Sequence, residues 1–116
     1  MVASAVMKQY VIDQLQPQDY QALKGYLDQH LKPSGVDGVY SLFLEADMLA
    51  DRQRRHTDCQ PHYVAIELLP HSLVAELLVR TAARVRCDCM GYADARQRAW
   101  LMDVVDALAA KLEIHA

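Results

Sequence analysis

The stretch HYVAIELLPHSLVAELLVRTAARVRCDCM, residues 62 to 90, decides the fold. It contains three β-rich runs separated by turn-length breaks at Pro70-His71-Ser72 and Thr81-Ala82-Ala83, the pattern of an antiparallel meander. Successive side chains on a strand point to opposite faces, so alternation assigns the sides. Val64, Ile66 and Leu68, then Leu73, Ala75, Leu77 and Val79, then Val85, Cys87 and Cys89, fall on an apolar face that reads as the core side. The other face carries Glu67, Glu76, Arg80, Arg84, Arg86 and Asp88, mixed with Tyr63, Ala65, Leu69, Val74, Leu78 and Met90. Leu73 to Val79 is apolar on both sides apart from Glu76, as a central strand should be.

Upstream, Lys8 to Leu15 reads as a strand, with Tyr10 and Ile12 on one face and Val11 on the other. A helix follows. Pro17 suits its first turn, Tyr20, Leu23, Leu27 and Leu31 recur at helical spacing, and Lys32-Pro33-Ser34-Gly35 supplies the stop. After a turn at Val36 to Gly38, the apolar run Val39 to Glu45 reads as a buried strand. Residues 46 to 61 form a long polar connection with a helical turn across Asp51 to Arg55, and connections of that length often carry function. Downstream, Gly91 breaks the third run, and Asp94 with Gln97 has the spacing of a capping box. The stripe Leu101, Val104, Val105, Leu108 and Leu112 marks a final amphipathic helix.

The order β-α-β-β-β-β-α predicts an α+β two-layer sandwich, a mostly antiparallel sheet with both helices packed on one face. Six apolar residues on the bare face are too many for a clean polar coat. They predict a homodimer through that outer sheet face or through a sheet edge. A length of 116 residues suits one domain, expected over 7–116, with residues 1–6 a frayed leader. Apolar residues make up 53% and charged residues 23%, a globular balance that excludes a disordered or fibrous chain. No basic n-region precedes the short opening apolar stretch, and no run approaches a membrane span, so the expected location is cytoplasmic with no membrane partner. Three cysteines, an odd number, then read as reduced thiols or metal ligands rather than disulfides.

Those cysteines, with one histidine, carry the main chemical suggestion. His56-Thr57-Asp58-Cys59 and Cys87-Asp88-Cys89 together could supply four soft ligands, His56, Cys59, Cys87 and Cys89, for a tetrahedral ion, with zinc the candidate. His62, just after Pro61, is an alternative to His56. Cys-x-Cys is tighter than the common spacing of structural sites, and buried cysteine packs as a small hydrophobe, so packing is the simpler role for Cys87 and Cys89. His30, His71 and His115 fit structural or exposed roles.

Charge is unevenly spread. All eight arginines lie between residues 52 and 98 against five acids, +3, while the remainder carries four lysines and ten acids, −6. Such asymmetry can mark an anion-binding face built on Arg52, Arg54, Arg55, Arg80, Arg84 and Arg86, but no aromatic interleaving or nucleic-acid motif accompanies it. The expected function is therefore a small cytoplasmic binding or interaction module with a candidate structural metal site. The first alternative is a thiol- or metal-dependent enzyme using Cys59 and His56; no phosphate loop, nucleophile elbow or HExxH motif supports catalysis. The second is anion or nucleic-acid binding through the arginine-rich middle segment.

Overall fold

A computed structural model describes residues 8–82 and 89–114. The expected leader lies outside these residues, as do Arg84, Val85, Arg86, Cys87 and Asp88. The described elements are β1 (Gln9–Ile12), α1 (Pro17–His30), β2 (Lys32–Pro33), β3 (Val39–Phe43), α2 (Asp51–Arg55), β4 (His62–Leu69), β5 (Ser72–Glu76), β6 (Leu78–Thr81), β7 (Gly91–Tyr92) and α3 (Ala95–Lys111). Every strand pairing among them is antiparallel, and the class is α+β.

The caps explain where the two long helices begin. Pro17 occupies the start of α1, where a missing N–H costs nothing, and the Asp19 carboxylate accepts from the Gln16 amide at 2.9 Å. At α3 the expected capping box forms: Asp94 Oδ1 accepts from the Gln97 amide at 2.8 Å and Gln97 Oε1 accepts from the Asp94 amide at 3.1 Å. Leu23 and Leu27 of α1 and Leu101 and Val105 of α3 are buried in one cluster with Val64, Ile66, Leu73 and Ala75 of the sheet. Two tyrosines reach from the sheet to the helices. The Tyr40 hydroxyl donates to Asp28 at 2.5 Å and that of Tyr10 donates to Asp106 at 2.6 Å.

The sheet is ordered β1-β5-β4-β3-β2, with β6 also on β4 and β7 outside β6. Gly38, at φ +79, turns the chain into β3 so closely over β4 that an added Cβ would lie 3.1 Å from the Leu68 carbonyl oxygen. Alternation along β4 is as expected, with Val64, Ile66 and Leu68 buried and Tyr63, Ala65 and Glu67 half-buried.

Three differences from expectation have physical causes. The second meander run is two strands. Ile66 pairs with Ala75 but Tyr63 with Arg80, so β6 has slipped two residues against β4 relative to β5. At the bend, the Leu77 amide donates to Lys8 O at 2.9 Å and the Leu77 carbonyl accepts from the Ala93 amide at 2.7 Å, so the outer neighbour changes from β1 to β7. Secondly, Lys32–Pro33 does more than stop α1: it pairs with Tyr40 and Ser41 as an edge strand, a position that tolerates proline. Thirdly, Gly91 itself belongs to a strand, while most of the run before it, residues 83–88, lies outside the described residues. Cys89 lies in a turn, and Gly91–Tyr92 pairs with Val79 and Leu78, because a ladder needs only backbone groups, which glycine supplies.

On the outer face Val11, Val74, Glu67 and Val39 lie side by side across β1, β5, β4 and β3. The rings of Phe43 and Tyr63 stand 5.8 Å apart, and Arg80 pairs with Glu76 at 3.1 Å. Val11 and Leu69 are exposed and Tyr63, Ala65 and Leu78 half-buried, while Val74 is covered. No helix among the described residues is long and apolar enough to cross a membrane.

Candidate functional site

The long connection folds back onto the turn that holds Cys89. It runs through 3-10 turns at Ala46–Met48 and Thr57–Cys59 on either side of α2. Gln53, buried in α2, organises the return. Its Oε1 accepts from the Ala50 amide and from Gln97 Nε2, both at 2.9 Å, and its Nε2 reaches the Cys89 carbonyl at 3.4 Å. Gln97 Nε2 also donates to Met48 O at 2.9 Å. Arg96 donates to the carbonyls of Asp47 and Leu49 at 2.8 and 3.4 Å. The connection, the start of α3 and the Cys89 turn are thus one hydrogen-bonded unit. Burying two glutamines is favourable only when their amide groups are this well satisfied.

Beside this unit, His62 Nε2 lies 3.3 Å from Cys89 Sγ, and the two side chains are 1% and 3% exposed. Cys59 is equally enclosed at 1%. Its carbonyl accepts the Thr81 hydroxyl, and Thr81 is the ladder partner of His62, so the turn carrying Cys59 is tied to the strand end carrying His62. The Cys59 amide donates to His56 O at 3.0 Å, while His56 Nδ1 lies 2.6 Å from Arg52 O. Of the four residues expected from sequence, His56, Cys59 and Cys89 are described and Cys87 lies outside the described residues. The histidine brought against Cys89 is His62. Sequence held a signal for this: His62 shares the parity of Val64, Ile66 and Leu68, so alternation alone sends it inward.

The environment favours a neutral imidazole. Burial pushes the His62 pKa down, and the nearby His56 adds to the effect. Among the described residues its Nδ1 is buried with no hydrogen-bond partner, and Nε2 is the ring nitrogen that faces Cys89. Two atoms bound to one tetrahedral zinc, with Zn–N near 2.0 Å and Zn–S near 2.3 Å, stand about 3.5 Å apart. The Nε2 to Sγ separation of 3.3 Å is close to that and also fits a thiol–imidazole hydrogen bond. Among the described residues no three His, Cys, Asp or Glu side chains gather as a complete metal site does. A cleft of about 180 Å³ bounded by Arg52, Gln53, Cys89 and Asp94 leads to the turn. With so little of Cys89 and His62 exposed, the pair does not present a nucleophile to a substrate in this conformation.

The described arginines serve several local structures. Arg54 pairs with Asp51 at 3.0 Å and Arg80 with Glu76, while Arg96 and Arg98 donate to backbone carbonyls. Arg84 and Arg86 lie outside the described residues. No protein-family model, curated protein or solved structure matches the chain.

Proposed function

We propose that this protein is a small binding module closed by one structural zinc ion, with His62 and Cys89, already in contact, as two of its ligands and Cys59 and Cys87 drawn in by the ion to complete the set. The observation that carries the reading is the contact between His62 Nε2 and Cys89 Sγ, made between residues 27 positions apart and shielded from solvent. Structural zinc sites are closed and rich in thiolate, which suits this enclosed setting better than it suits catalysis. Cys59 belongs to the set because it lies three residues before His62 in a turn bonded to the same strand end. Cys87 is assigned from residue type and spacing alone. Ligand thiols require reducing conditions, so the reading places the protein in the cytoplasm.

The module pairs with a second copy through the outer sheet face. Phe43, Tyr63 and Leu78 supply a half-buried apolar patch there, extended by the exposed Val11.

Cobalt substitution tests the metal reading. Chelator-treated protein titrated with Co²⁺ should develop thiolate-to-cobalt charge-transfer absorption that saturates at one equivalent, is lost in Cys89→Ser and weakens in His62→Ala. Loss in His56→Ala with retention in His62→Ala would transfer the imidazole to His56. Absence of the band at saturating cobalt overturns the proposal.

A further inference from the structure

A second site, independent of the cysteines, lies between the helices. α1 and α3 flank a cavity of about 400 Å³ whose floor includes Leu42, Ile66 and Leu73 of the sheet. Ile66, Leu73 and Leu27 are buried, but Tyr26, Leu31, Leu42, Val104 and Leu108 around the same cavity remain only half-buried. Those side chains would lose further contact with water if the cavity were filled, which favours an apolar occupant. The size fits a small molecule; an α-helix, roughly 10 Å across with its side chains, needs a longer trough.

One end of the cavity is chemically different. Among the described residues Lys111 is the sole charged one lining it, and no described carboxylate joins it there. Its Nζ stands 5.4 Å from the centroid of the Tyr26 ring, which lies 4.2 Å from that of His30. An ammonium held over an aromatic face at the mouth of an apolar cavity, with no acid in the described lining, is complementary to a single negative charge. The chain as a whole is acidic, with a net charge of −3, so this local arrangement runs against its average.

We propose that this cavity binds a medium-chain carboxylate, its apolar chain lying between α1 and α3 and its carboxylate meeting Lys111 and the donor groups of His30 and Tyr26. The site is separate from the zinc reading, and neither depends on the other.

Titration calorimetry with dodecanoate below its micelle-forming concentration, with dodecanol as the uncharged control, tests this on the full chain. Saturable one-to-one binding is expected, with dodecanol at least tenfold weaker. Lys111→Glu should weaken dodecanoate at least tenfold and leave dodecanol unchanged. Ala107→Trp, which fills the cavity from an exposed position of α3, should abolish binding of both while circular dichroism stays native. If that variant does not fold, Val104→Trp makes the same test. No saturable binding to the wild-type protein, undiminished binding in a folded cavity-filling variant, or equal dodecanoate affinity in Lys111→Glu overturns the proposal.

Discussion

Nε2 of His62, the first residue of β4, lies 3.3 Å from Sγ of Cys89, in the turn before β7. The two residues belong to opposite ends of the stretch that sets the sheet. They meet because β6 returns along β4 to place Thr81 opposite His62, while β7 pairs with β6 from its other side. The connection before β4 then closes over the contact through Gln53. A thiol and an imidazole are therefore held together by the topology of the sheet as well as by local sequence.

Gln53 should be the polar residue whose loss is felt most. Truncation to alanine removes the acceptor of the Ala50 amide and of Gln97 Nε2 and the donor to Cys89 O. Leaving such groups buried and unpaired costs about 1–3 kcal/mol each at the upper end, so a loss of at least 1 kcal/mol in urea denaturation is expected. The Cys89 thiol should also react faster with a thiol reagent in native protein. Unchanged stability and unchanged thiol kinetics would show that this network does not hold the turn.

The Tyr40–Asp28 hydrogen bond predicts stability changes at both ends of the pH range. The Tyr40 hydroxyl, and then Lys24, hold the Asp28 carboxyl below its ordinary 3.8, so this contribution is complete above about pH 3.8 and is lost as pH falls through the folded value. The Tyr40 hydroxyl is raised above 10.0, first by Asp28 and then by burial, so its contribution is present below pH 10.0 and is lost as pH rises through the folded value. Tyr40→Phe should be less stable than wild type at neutral pH, with the difference narrowing toward both extremes. A difference constant across pH would contradict the linkage.

Outer-face pairing predicts an apparent mass of two chains by light scattering at micromolar concentration. Phe43→Lys, which puts a charge beside Tyr63, should shift the population to single chains without unfolding them. Wild-type protein that stays a single chain at high concentration would end the dimer reading.

Much of the fold was legible because its signals are local. Pro17 and the leucines behind it define α1, Asp94 with Gln97 defines the start of α3, and the parity of Val64, Ile66 and Leu68 orients β4. The bend at Leu77 was not legible: a slip of two residues preserves side-chain parity, so Leu73, Ala75, Leu77 and Val79 read as one straight strand. Lys32–Pro33 and Gly91–Tyr92 escaped because two-residue strands carry no period and use backbone bonds alone. At the site, the spacing His56-x-x-Cys59 favours His56, whereas the histidine that stands against Cys89 is His62. Its inward parity was visible; its pairing with Cys89 depended on a tertiary return that no local pattern encodes.

Elemental analysis of untagged, chelator-free protein tests the central claim most directly. The account predicts close to one zinc per chain in the wild type and little in Cys89→Ser or Cys87→Ser. Freshly purified wild-type protein with no bound metal, or zinc retained in full by both serine variants, would contradict it.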